Sequence, residues 1–248
     1  MNQLHILPYE IGNLDTLTLD RLFQFIGTLL AIFIFTKFVD KTSFISIGLH
    51  LKHRTIDIIA GFFLGILIMV IGCFSLFYLH EIELNYNTHI NKSAIAYSFI
   101  FYTFVAFMEE VLCRGYVLGQ LLNVYDKYLS LIITSIFFAA LHMFNPNIGT
   151  IPLLNLFLAG VLLGITYIHT KNLWFPIALH LSWNFFQGPI FGFGVSGFSS
   201  YSIVEQVRTK DNYINGGHFG FEGSLLGSLL MLISIFIIDW YYRRKTVR

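Results

Sequence analysis

What most constrains this chain is a succession of apolar windows, each close to the roughly 20 residues that a helix needs to cross the hydrocarbon core of a bilayer, with only short polar breaks between them. Of the 248 residues, 56% are hydrophobic and 12% are charged, where a soluble domain carries about 25% charged residues. There is too little polar surface to clothe a fold for water. The fold class expected is therefore all-α: a polytopic transmembrane helical bundle of about seven spans. A formal net charge of +1 does not point to nucleic acid or to an acidic partner. Cys73 and Cys113 both fall inside apolar windows, which suits packed thiols rather than a disulfide framework or a zinc knuckle.

The first eighteen residues contain Glu10 and Asp15 and lack a basic start followed by an apolar run, so no cleavable signal is expected. Without an internal repeat, a heptad series or a low-complexity linker, one membrane domain over residues 1–248 is the simplest reading. Candidate spans cover about 21–38, 56–79, 94–122, 128–144, 151–169, 174–187 and 224–242. The third is long for a straight span and implies tilt or an interfacial end. Asn145-Pro146-Asn147 and Lys171-Asn172 provide tight turns.

Seven crossings put the termini on opposite sides, and the loop charges choose between them, because Lys and Arg are retained in the cytoplasm. Lys37, Lys41, Lys52 and Arg54 surround the first break, Lys127 and Lys171 sit in the third and fifth, and Arg243, Arg244, Lys245 and Arg248 follow the last span. All alternate onto one face. The other face has Arg21, Lys92, Arg208 and Lys210 among several carboxylates. An external amino terminus and a cytoplasmic carboxyl terminus are expected. The connection at 188–223 is longer than an ordinary loop. It is expected to be an external flap without a catalytic part, its Phe191, Phe193, Phe198 and Phe219 resting on the membrane interface.

Ionisable groups at membrane depth cost several kcal/mol unless they meet a partner or a wet cavity, and so mark candidate functional positions. Glu109, Glu110, Arg114, His142 and His180 all lie in apolar spans. On a helix, Glu110 and Arg114 are four apart and share a face, whereas Glu109 points well away from Arg114. Arg114 is expected to neutralise Glu110, leaving Glu109 unpaired on its own helix and available as a general base. A single buried network that merely locks helices together also fits this spacing. Phe138 and His142, and likewise His180 and Asn184, are four apart, so two further helices can each turn an imidazole inward. A packing role for each histidine and an interhelical hydrogen bond from Asn184 remain open. The other histidines, His169 among them, fall at span ends or in loops and call for no special role.

Glu-Glu-x-x-x-Arg at 109–114, Phe-x-x-x-His at 138–142 and His-x-x-x-Asn at 180–184, in this order and on separate spans, resemble the signature of the CPBP family of intramembrane proteases. That family includes the type II CAAX prenyl endopeptidases and the Abi-like proteins. The resemblance covers a catalytic core of about 94–190. It implies a membrane-embedded peptidase in which Glu109 activates water, His142 positions or helps to activate it, and His180 and Asn184 stabilise the oxyanion. Glu110, Arg114 and Phe138 would support them. It implies a peptide or protein substrate, lipid-modified or membrane-bound in some members, and a cavity opening toward the cytoplasm.

Neither Cys113 nor Ser182 is needed as a nucleophile. Glu109, His142 and His180 would also make a three-ligand zinc site with an open position. The sequence lacks His-Glu-x-x-His, and direct water activation needs no ion, so both schemes stay open at this point. Two other function classes compete with proteolysis: a non-proteolytic membrane binding or immunity protein, and a proton-coupled transporter. One geometric difficulty also stands. His142 lies at the outer end of its span, whereas His180 is about 9 Å from the cytoplasmic start of its own, and straight vertical helices would hold the two apart.

Overall fold

The computed structural model describes residues 11–208 and 210–246. The acidic start at Glu10, read above as lacking a signal, and the terminal Arg248 lie outside the described residues. Helices follow one another almost throughout: Ile11–Ile34 continuing into Phe35–Val39, Thr55–Tyr78, Lys92–Glu110 continuing to Leu121, Lys127–Leu141, Thr150–Ile165 with Tyr167–Thr170, Trp174–Phe185 continuing into Phe186–Ile190, and Leu225–Thr246. We number these seven bodies in order. The first, second, third, fifth and seventh are long and apolar enough to cross a membrane, and the fourth and sixth are shorter. The protein is an integral membrane helical bundle. The first helix begins ten residues before the apolar window that announced it, and the fourth stops at Leu141 rather than near 144.

Local chemistry explains several of these boundaries. The Asn91 side chain accepts from Ala94 N and starts the third helix, and Asp126 does the same for Tyr128 N and Leu129 N at the start of the fourth. The third helix widens to π geometry over Val111–Leu118, immediately after the glutamate pair. Such widened turns are frequent at functional sites. The sixth also ends in a π segment, Phe186–Ile190, which carries Pro189.

The second and sixth helices pack closely because the second presents glycine at the crossing. A Cβ on Gly65 would meet the Ser182 hydroxyl and lie 2.9 Å from both Leu179 O and Trp183 N. Small residues allow this approach where lipid supplies no hydrophobic drive between helices. Gly65→Leu is therefore expected to lower thermal stability in detergent by about 1–3 kcal/mol, the usual cost of overpacking. An unchanged melting temperature would show that the contact gives way freely.

The segment between the sixth and seventh helices is not a loose flap. It folds back over the bundle, pairs Val204–Val207 with Glu83–Tyr86 in an antiparallel ribbon (Glu83 opposite Val207) and hydrogen-bonds the turn after the fourth helix through Asn145 Nδ2 to Ser196 O. This ribbon was not foreseen from the sequence. Gly220 adopts φ +101°, and a Cβ there would overlap Gly194 O, so two strands of the segment can touch. Phe193, Phe219 and Phe221 are fully buried in the main core, which corrects the expectation that Phe193 and Phe219 rest on the membrane interface. Phe198 remains half-exposed.

Candidate active site

Three helices supply the site. Glu109 and Glu110 come from the end of the third, His142 caps the C-terminus of the fourth, and His180 and Asn184 share a face of the sixth. Arg114, in the widened segment, is buried and donates from Nη1 to Glu110 Oε1 at 2.8 Å and from Nη2 to Gly160 O of the fifth helix at 3.1 Å. Its guanidinium lies 4.4 Å from the centroid of the Phe138 ring, close enough for a cation–π contact in a desolvated place. The pairing of Arg114 with Glu110 is as the four-residue spacing predicts.

Glu110 does more than balance a charge. Its Oε1 also accepts from Nδ1 of His180 at 2.8 Å. In the same way Nδ1 of His142 meets Phe138 O at 2.8 Å, and a carbonyl oxygen only accepts, so this nitrogen carries the proton. Both rings thus turn Nε2 toward one point, which is Glu109 Oε2, at 3.7 Å from His142 and 4.0 Å from His180. These separations are too long for direct hydrogen bonds. Among the described residues nothing donates to that oxygen, although it is buried.

The separation in depth expected between the two histidines is thus absent. The fourth helix has 15 residues, about 22 Å at 1.5 Å per residue, short of the ~30 Å apolar core. Its end, where His142 sits, reaches the level of His180, since both rings approach the same Glu109 oxygen.

Glu109, His142, His180 and Asn184 line a cavity of about 360 Å³ whose walls include Tyr97, Phe101, Tyr102 and Val105 from the third helix and Val195, Ser196 and Phe198 to Tyr201 from the long segment. Its size is that of a small ligand site. Cys113 and Ser182 are fully buried and line no part of it, and the Ser182 hydroxyl donates to Leu179 O. Both cysteines are free and buried, as expected.

Two features were missed in the sequence. Glu222, in the long segment, is buried and accepts from Trp183 Nε1 (3.1 Å), Ser196 N (2.8 Å) and Ser196 Oγ (2.9 Å). It ties the segment to the helix that carries His180. Its signal was a lone carboxylate in an otherwise uncharged Gly- and Phe-rich run before an apolar span. The second is Asp239 in the last span, which accepts from Tyr128 Oη and pairs with His169 Nε2 at 2.9 Å. His169 is therefore a buried interhelical tie rather than a solvated ring.

Burial pushes the Glu222 carboxyl up, against the lowering effect of the Ser196 hydrogen bonds and of nearby His142 and His180. A raised carboxyl binds its proton more tightly in the folded chain, so anchoring by Glu222 weakens as pH rises from the ordinary glutamate range through its raised value. Protection against hydrogen exchange in residues 191–200, taken relative to the intrinsic rate at each pH, is expected to fall across that window in wild type. It should be low and less pH-sensitive in Glu222→Leu. A pH-independent wild-type profile would sink this assignment.

The zinc alternative meets a geometric test here. The donor types of Glu109, His142 and His180 suit zinc, yet no group of three His, Cys, Asp or Glu side chains among the described residues is arranged to hold a metal ion.

Residues 91–186 match the family model described as type II CAAX prenyl endopeptidase Rce1-like. Searches of curated proteins and of solved structures gave no significant match. The matched residues contain all three motifs and every catalytic candidate. Over this stretch, which is less than half of the chain, the protein is similar to the type II CAAX prenyl endopeptidases, and the match supports membership of the CPBP family of intramembrane proteases.

Proposed function

We propose that the chain hydrolyses a peptide bond with a water activated by Glu109. The observation that carries this reading is Glu109 Oε2, buried and without a hydrogen-bond donor among the described residues, facing Nε2 of His142 and His180 across the cavity. Oε2 and the His142 nitrogen are too far apart to bond directly and close enough for one water to donate to both. Glu109 takes the proton as the water oxygen bonds to the carbonyl carbon.

The oxyanion then needs donors. His180 already uses its Nδ1 proton on Glu110, so it donates from Nε2 only when the ring carries both protons. The Asn184 amide, on the same helical face and in the cavity wall, is the second donor. Such preorganised donors in a dry site supply several kcal/mol. Collapse of the tetrahedral species breaks the C–N bond, and Glu109 returns its proton to the departing amine. One water is consumed, and a carboxylate and an amine result.

The test is a comparison of peptides in membranes that express wild type or Glu109→Gln. Uncut precursors are expected to accumulate only in the variant. Identical peptide profiles would remove the proteolytic reading.

A further inference from the structure

We infer that the catalytic cavity opens on the extracytoplasmic face, so that its substrate is a peptide segment already exported, or emerging from export, when it is cut. This rests on the proteolytic reading for the word substrate, but the side of access stands on separate observations.

The first is where the cavity lies along each helix. The third helix lines it from Tyr97 to Leu112, the fourth only through its end at Leu141 and His142, and the sixth through His180 and Asn184 but not through its first turn. The first helix contributes Arg21, at the start of its apolar span. Aromatic contacts of Phe25 with Phe104 and Phe107, and of Phe35 with Tyr116, show that the first and third helices run in the same direction. Arg21 therefore stands level with Phe101, on the same side as the long segment that supplies Val195, Ser196 and Phe198 to Tyr201. Apart from Leu112, less than one turn past the glutamate pair, the lining residues lie between that pair and the one face.

The second observation is what lies on the other side of Glu109. Val111, Cys113, Leu118 and Leu173 are completely buried, Arg114 is locked to Glu110 and Gly160, and Tyr167 Oη donates to Ile47 O. These close the opposite end with packed side chains.

The third is charge. The closed end carries the Lys37–Arg54 loop, Lys127, Lys171 and the Arg243–Lys245 cluster, all within short connections or at a helix end, where basic residues hold a segment in the cytoplasm. On the open side Arg21, Lys92, Arg208 and Lys210 stand among Glu81, Glu83, Glu205 and Asp211, so the basic excess is on the closed end. This orientation reverses the cytoplasmic opening implied by the family resemblance. The reaction that supplies the substrate is then a membrane translocation.

Impermeant, charged maleimide applied to intact spheroplasts tests the inference without reference to cleavage. The native cysteines are buried, so Val105→Cys in the cavity wall, Ser199→Cys at its exposed rim and Asn123→Cys on the basic face report separately. Labelling of V105C and S199C in intact spheroplasts, with N123C labelled only after lysis, is expected. Labelling of N123C in intact spheroplasts, or of V105C only after lysis while folded protein is recovered, would overturn the inference. Loss of the proteolytic reading would leave this labelling pattern unchanged, and a reversed pattern would leave cleavage unchanged.

Discussion

Purified Glu109→Gln protein is expected to lose peptide hydrolysis by about 10²–10⁴-fold, the usual worth of a positioned general base, while its melting temperature stays within a few degrees of wild type. Gln keeps the length and the shape of the side chain and removes the proton acceptor. The stability expectation follows from the contacts: Glu109 Oε2 accepts no hydrogen bond from a described group, and its imidazole neighbours stand at 3.7 and 4.0 Å. The loss should fall on kcat rather than on KM, because the carboxylate acts on water and not on peptide binding. Single-turnover cleavage with a peptide that accumulates in the variant membranes measures both. A variant that cuts at the normal rate would show that another group is the base. One that unfolds would show that Glu109 belongs to the structural network instead.

The separation of the two glutamates was legible because it depends only on helical spacing at the end of one helix: Glu110 faces Arg114 and Glu109 does not. Span positions were legible because lipid imposes a length. The structure keeps the windows near 56–79 and 151–169 to within a residue or two. Other features required tertiary information. Nothing in Phe-x-x-x-His says that Phe138 acts through its backbone carbonyl on His142 and through its ring on Arg114. The widened turn at Val111–Leu118 leaves no mark in hydropathy. The long segment read as a flap because Gly and Phe are as common at an interface as in a packed cover. Only the contacts of Glu222 and the burial of Phe193 and Phe219 distinguish the two.

The network behind the proposed catalytic groups yields the largest expected stability effect. Arg114→Met is expected to destabilise the protein by about 3–5 kcal/mol, since removing one partner of a buried ion pair strands the other charge. Glu110 would keep His180 as a donor and lose the guanidinium, and the hydrogen bond to Gly160 O and the contact with the Phe138 ring would go as well. A structural role alone predicts the same loss, so the double variant Glu110→Leu with Arg114→Met separates the two. With both charges gone and apolar side chains in their place, most of the stability should return, as it does when buried pairs are replaced together. Activity should not, because His180 Nδ1 then has no carboxylate to fix the orientation of the ring proposed to face the oxyanion. Thermal unfolding in detergent and kcat, taken around the full double-mutant cycle, measure the two effects on the same samples. Recovery of both together would reduce Glu110 to a scaffold residue. Recovery of stability alone assigns it to the positioning of His180.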